Sequence, residues 1–283
     1  MQQTTIRTSA RRRTLGAVIA VAAIGLTGAC ASDDDSAEGS TTADGIELVE
    51  AGTLTACTHL PYKPFEYTEN GEVVGFDADL AQLVADDLGV ELDVVSTGWE
   101  QITGGAAFAA GQCDLGMGAA TITPEREESV AFSDPYFNAT QALLVAADSG
   151  YESLEDLDGK QLGVQTGTTG EIYANDNAEE YGYETVVFED SLSQANAVKT
   201  GKVDAAINDN GTVLFFASEN TDTTVTEEFD TGESYGFMAA KDSENADALL
   251  ERFNEVLAAA QDDGTYDEIF ATYFGAVPGE LNS

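Results

Sequence analysis

The 283-residue sequence is poor in positive charge, with 11 Lys and Arg against 52 Asp and Glu and a formal net charge of −41. Four of those bases, Arg7, Arg11, Arg12 and Arg13, lie in the first 29 residues, a stretch without acids. The remainder therefore sets seven bases against all 52 acids. Such a chain repels phosphates and anionic headgroups, which excludes nucleic-acid binding. Histidine and tryptophan occur once each, as His59 and Trp99. With no His cluster at metal-ligand spacing, no C-x-x-C and no G-x-S-x-G, neither a metal centre nor an activated nucleophile is expected, and no cofactor is implied. The chain is accordingly not read as an enzyme. Long apolar runs are missing too. Leu15 to Leu26 falls short of the roughly 20 residues that span a bilayer, and no later stretch could span one.

What is present points to export. An arginine-rich start, then the apolar run, then Leu26-Thr27-Gly28-Ala29-Cys30 reads as a signal segment over residues 1–29. Small residues before a cysteine resemble the lipobox of bacterial lipoproteins, which implies lipidation at Cys30. A soluble secreted chain cut near Ala29 is the alternative. Residues 30–45, polar and low in complexity, read as a flexible tether. In an exported chain the remaining pair, Cys57 and Cys113, is expected to form a disulfide.

With 43% hydrophobic residues the rest should fold, and from Ile46 onward strands alternate with helices, the pattern of an α/β fold with largely parallel sheets. Leu54–Ala56 reads as a strand. Leu80, Leu83, Val84 and Leu88 fall at helical spacing before Gly89, and a helix is expected from Trp99 to Gly111. A second cycle runs from Leu154: strand Leu162–Val164, a helix opened by Gly167-Thr168-Thr169-Gly170, strand Thr185–Phe188, helix Ser191–Thr200 and strand Val203–Ile207. The repeat of Gly111-Gln112-Cys113-Asp114 as Gly201-Lys202-Val203-Asp204 suggests two lobes of one plan. Lobe one is expected over 46–143 plus 237–283 and lobe two over 144–236, with Ala142–Val145 and Phe237–Ala240 crossing between them. An amphipathic helix with Ala246, Leu249, Leu250, Phe253, Val256, Leu257 and Ala260 on one face should return to cover lobe one. The cleft between two such lobes is the natural binding site.

Several ordered motifs resemble the bacterial extracellular solute-binding proteins, family 3. They are Leu60 to Tyr67, Gly75 to Ala81, Thr121 to Arg126, Phe132 to Tyr136, Leu154 to Gly163, Gln165 to Thr169 and Val203 to Ala206. The resemblance covers about residues 46–275. It implies a type II periplasmic-binding-protein-like fold, two α/β lobes on a two-strand hinge with the ligand cleft between them. It also implies capture of a polar amino acid for an ABC transporter permease. A zwitterion needs a cation for its carboxylate and an anion for its ammonium, both shielded from water. Arg126 matches the carboxylate-binding arginine of the family and Asp209 the ammonium-binding aspartate. The other arginine of the exported part, Arg252, reads as a surface residue of the terminal helix. Thr168 and Thr169, opening a helix, would favour the carboxylate through N–H groups and hydroxyls. Gly118 and Ala119 match positions of backbone contacts, Thr121 offers a hydroxyl, and Tyr62 and Trp99 match positions that flank the ligand.

His59, Gln165 and Asn208 would present neutral hydrogen-bonding groups, which favours a neutral, glutamine-like ligand; an acidic one would need a protonated His59. The chain is expected to act as an extracytoplasmic monomer on the outer face of the cell membrane, held by its lipid. Two further readings are a ligand-sensing domain working with a separate signalling partner and a dehydratase-type enzyme on the same fold.

Overall fold

The computed structural model describes residues 41–275; the expected signal, Cys30 and the tether as far as residue 40 lie outside the described residues. The chain runs through β1 (Thr53–Thr58), the hairpin β2 (Tyr67–Glu69) and β3 (Glu72–Val74), α1 (Phe76–Leu88), β4 (Glu91–Ser96), α2 (Trp99–Thr103), α3 (Ala106–Ala109), β5 (Leu115–Gly116), α4 (Pro124–Glu127) and β6 (Val130–Phe132). It then forms β7 (Phe137–Ala146), β8 (Gln161–Gln165), α5 (Thr169–Tyr181), β9 (Glu184–Phe188), α6 (Ser191–Lys199), β10 (Ala205–Asp209), α7 (Asn210–Glu219) and β11 (Thr223–Tyr235). It returns as β12 (Met238–Ala240), α8 (Glu244–Asp263) and α9 (Thr265–Phe274).

These strands build two five-stranded sheets, β4-β1-β5-β12-β6 and β11-β7-β10-β8-β9. The plan is the same in both. Three parallel strands (β4, β1, β5; β9, β8, β10) are followed by one antiparallel strand that continues a crossing segment, β12 in one lobe and β7 in the other. The fold is thus the two-lobed type II periplasmic-binding-protein arrangement.

The crossing lies elsewhere than the apolar stretch Ala142–Val145 suggests. Those residues pair with β10 and β11 inside the second sheet, so that sheet takes in the chain from Phe137 rather than from 144. The stretch is apolar throughout because Ala142 and Leu144 enter one core cluster and Leu143 and Val145 the other, one on each face of the strand. The crossings run through Ser133–Phe137 and Tyr235–Met238 and are tied together: Ser133 N–H donates to the Phe237 carbonyl (2.8 Å) and Tyr136 N–H to that of Tyr235 (2.9 Å). Phe137 and Tyr235 stack there at 5.2 Å.

Two further expectations are corrected. The helix foreseen from Trp99 to Gly111 is broken into α2 and α3 by Gly104 and Gly105, the latter at φ 78°, where an L side chain is strained. The last residues of the tether form a turn, with a bridge between Thr41 and Glu47, because Ile46 and Leu48 are buried in lobe one. Helix α8 packs against α1, with Ala246, Leu249, Leu250, Phe253, Leu257 and Ala260 buried and Val256 only partly so. Arg252 lies on its outer side, paired with Asp44 (2.6 Å), Glu255 (3.0 Å) and Asp87 (3.3 Å). Cys57 and Cys113 are disulfide-bonded, with their Cα atoms 5.7 Å apart. Among the described residues no helix is long and apolar enough to cross a membrane.

Candidate functional site

At the carboxyl ends of the parallel strands the lobes face each other across a cleft. It is lined by His59, Tyr62, Glu66, Trp99, Gly118, Ala119, Thr121 and Arg126 from one lobe and by Gln165, Thr168, Thr169 and Asp209 from the other. The structure thus brings together eleven of the twelve expected ligand-binding residues and adds Glu66. The lobes are nearly shut: free space among these side chains is about 20 Å³, hardly more than one water needs.

Arg126 sits in α4, held there by the cap on Thr123, whose hydroxyl accepts from the Arg126 N–H. Its guanidinium is half-buried, stacks 5.2 Å from the Trp99 ring and donates to the carbonyls of Thr121 (2.9 Å) and Gly167 (3.2 Å). Burial lowers its pKa, while Asp209 and Glu233 oppose that shift. Yet among the described residues no carboxylate lies within ion-pair distance of it. It is a cation partly stripped of water and still lacking an anion.

Asp209 ends β10, buried, and accepts from Gln141 Nε2 (2.6 Å), Tyr235 Oη (2.7 Å) and Tyr62 Oη (2.9 Å). Burial, with the charge of Glu233 behind it, raises its pKa to about 6, against the pull of those hydrogen bonds. Tyr62 is buried, and its bond to Asp209 joins the lobes. A second cross-lobe tie is Trp99 Nε1 to the Gly167 carbonyl (3.1 Å).

Asp77, at the start of α1, shapes the floor. Its Oδ2 accepts from the N–H groups of Gly118 (3.1 Å) and Ala119 (2.8 Å), and Tyr136 donates to the same carboxylate at 2.8 Å. The turn needs Gly118 at φ 141° and holds Ala119 at φ 48°; a Cβ on Gly118 would stand 2.9 Å from the Trp99 ring. Both N–H groups are therefore spent, so these two residues can offer the cleft only carbonyl oxygens.

Glu66 lies beside this turn, fully buried, and within the described residues neither of its carboxylate oxygens has a hydrogen bond of ordinary geometry, the Thr58 hydroxyl being near enough only to pull its pKa weakly down. Burial first, and then the charge of Asp77, push its pKa well above the usual carboxylate range. Burial also raises the pKa of Asp77, where the hydrogen bonds from Ala119, Tyr136 and Gly118 limit the rise to about 6. Sequence reasoning passed over Glu66 although it stands inside the Leu60–Tyr67 motif.

Asn208 does not line the cleft. Neighbouring strand residues face opposite sides, so with Asp209 turned inward Asn208 points behind β10. There it donates to Gln194 (2.7 Å) and Gln165 (3.1 Å), shares the Tyr62 hydroxyl proton with Asp209 (2.9 Å to each), and borders a separate cavity of about 230 Å³. It holds Gln165 and Tyr62 in place. His59 Nδ1 lies 3.1 Å from the Thr97 carbonyl, which can only accept, so Nδ1 carries a proton and donates it there. Thr168 caps α5: its hydroxyl accepts from the Glu171 N–H (3.1 Å) and donates to the Gln165 carbonyl (2.8 Å). The Thr169 hydroxyl donates to Glu233 (2.9 Å). Neither hydroxyl proton is available to a ligand carboxylate, which leaves the N–H groups opening α5 for that purpose.

Residues 54–276 match the family described as bacterial extracellular solute-binding proteins, family 3. The arginine-binding extracellular protein ArtP of Bacillus subtilis is 33% identical over 220 residues, covering 77% of this chain and 84% of that protein. Among solved structures, an ancestral arginine-binding protein bound to arginine is 37% identical with a TM-score of 0.71, covering 79% of this chain and 98% of that one. An ancestral arginine-binding protein bound to glutamine is 36% identical with the same TM-score, covering 80% and 99%.

Proposed function

Because the chain belongs to the bacterial extracellular solute-binding proteins, family 3, we propose that it is the extracytoplasmic substrate-binding component of an ABC importer. It captures an amino acid by closing its two lobes and hands it to a membrane permease, tethered through a lipid on Cys30. The observation that carries this reading is the pair Arg126 and Asp209, opposite charges from different lobes in one cleft with no ion pair between them. An amino acid satisfies both, its carboxylate on Arg126 and the N–H groups opening α5, its ammonium on Asp209. The Trp99 and Tyr62 rings form its walls.

For the side chain we favour a cation of the arginine type over the neutral, glutamine-like ligand that His59 and Gln165 suggest. The reason is Glu66, a buried carboxyl at the cleft floor with both oxygens unpartnered, where a guanidinium would supply the missing donors. The arginine-binding relatives favour the same choice. The glutamine reading keeps support from the hydrogen-bonding side chains of His59 and Gln165 in the cleft and from the ancestral protein solved with glutamine.

The test is thermal unfolding of residues 46–283 against the twenty amino acids. A ligand at a hundredfold excess over its Kd adds about 2.7 kcal/mol. A rise in midpoint with arginine, lost in Arg126→Ala and Asp209→Ala, is expected; no rise with any amino acid would overturn the reading. Mass spectrometry of the membrane-bound protein, with Cys30→Ser as control, checks the anchor.

A further inference from the structure

We propose that Glu233, a half-buried carboxylate near the hinge end of β11, is a positioning residue that turns the hydroxyls of Thr121 and Thr169 into acceptors and so builds the ammonium half of the ligand site. This rests on the amino-acid-binding reading and goes beyond it, since Glu233 does not line the cleft.

Glu233 Oε2 accepts from Thr121 Oγ1 (3.1 Å) in one lobe, from Thr169 Oγ1 (2.9 Å) in the other and from Gln141 Nε2 (3.1 Å) between them. A hydroxyl carries a single proton and two lone pairs, and an ionised carboxylate can only accept. Each threonine therefore commits its one proton to Glu233. Thr121 and Thr169 both line the cleft, so what their hydroxyls show to a ligand is lone-pair density. Gln141 Nε2 lies 3.3 Å from the Thr169 hydroxyl, but its two protons go to the nearer carboxylates of Asp209 and Glu233; the two hydroxyl oxygens stand 3.5 Å apart.

Gln141 extends the same logic. Its amide nitrogen reaches Glu233 and, at 2.6 Å, Asp209, linking the two carboxylates in the wall of the cleft. The side chains of Thr121, Thr169 and Asp209 thus show only acceptors to a group entering between them. An ammonium, with three donors and no acceptor, fits that set, whereas a ligand carboxylate or an uncharged methylene finds nothing to pair with. Selectivity for an α-amino group would then be set from behind the site. An amide at position 233 could donate to the threonine oxygens and release their protons toward the cleft, facing the ammonium with donors.

The experiment compares a ligand with its des-amino analogue: L-arginine with δ-guanidinovalerate, and L-glutamine with glutaramate, by calorimetry on residues 46–283. Glu233→Gln should weaken the amino acid by roughly ten- to hundredfold while the des-amino compound changes by less than about threefold on the same reasoning. Thr121→Val, which removes one acceptor and keeps the shape, should shift the same ratio in the same direction. A Glu233→Gln protein that binds both compounds as the wild type does, or loses both equally, overturns the assignment and leaves the binding reading standing. A wild type that binds no amino acid overturns the binding reading itself.

Discussion

If the ligand is arginine, Glu66 makes its capture release a proton. In the cleft Glu66 is buried, unpartnered and close to Asp77, so its pKa stands well above the ordinary range. Where it holds a proton, it does so until a cation arrives. A guanidinium against it favours the ionised form, so the proton must leave as the ligand binds. While Glu66 is protonated in the free protein, each pH unit of increase should tighten arginine about tenfold, or 1.36 kcal/mol. Asp209, raised to about 6, also loses a proton when an ammonium binds, but only below that pH and for any amino acid. The two effects separate above pH 6: glutamine should level off there, while arginine should go on tightening as pH rises. Trp99, the sole tryptophan, stacks on Arg126 in the cleft, so its fluorescence gives the titration. Calorimetry in buffers of differing ionisation enthalpy counts the proton. Glu66→Gln should abolish the slope for arginine and weaken it at pH 7.5 by roughly two orders of magnitude, the scale of one lost buried charge pair. Arginine binding that tightens with pH no further than glutamine binding does, or the same slope in Glu66→Gln, would refute the assignment of Glu66 to the ligand side chain.

Four other outcomes are expected. Arg126→Ala should cost amino-acid binding a hundredfold or more, on the order of 3 kcal/mol. Arg252→Ala should leave the affinity unchanged in the same titration, because its pairs with Asp44, Asp87 and Glu255 are far from the cleft and water-exposed. Replacing Cys57 and Cys113 by alanine opens a loop of 56 residues and should lower unfolding stability by about 4 kcal/mol in urea titration; an unchanged midpoint would mean the bridge constrains little. For Asp77, burial lifts the folded pKa from 3.8 to about 6, so the native state takes up the proton more readily than the unfolded chain. Its contribution to stability is thus present at low pH and is lost as pH rises through about 6. Asp77→Asn, fixed in the neutral form, should shrink the difference in urea midpoint between pH 5 and pH 7; an unaltered difference would show that Asp77 is not its source.

The elements were legible where local chemistry sets them. Gly89 adopts the left-handed conformation that ends α1, and Thr168 caps α5 with its own hydroxyl. Legibility failed where an apolar run has more than one explanation. Ala142–Val145 reads as a crossing because nothing in four apolar residues says whether both faces are buried; both are, since helices cover each side of the second sheet. Asn208 was misplaced by the neighbouring rule. A pattern match carries Asn208 and Asp209 together, but adjacent strand residues cannot share a face, and Asp209 has the cleft.

The charged residues of the site divide by rarity. Arg126 stands out because the exported part has only one other arginine, and a cation in so acidic a chain invites the question of what it holds. Glu66, Asp209 and Glu233 are three among 52 acids, and composition cannot choose among them. What singles them out is water and partners, which only the folded chain decides. Glu66 has lost its water and found no donor, Asp209 has lost its water and found three, and Glu233 keeps some water while taking the protons of two threonines. These three states suit three tasks: a carboxyl without donors awaits a cation, a satisfied one pairs with an ammonium already oriented, and one behind the surface fixes which way its neighbours' hydrogens point. The acid surplus that excludes nucleic acids thus says little about the ligand, because charges on the surface are screened within about 10 Å at 0.1 M salt while these carboxylates act at contact.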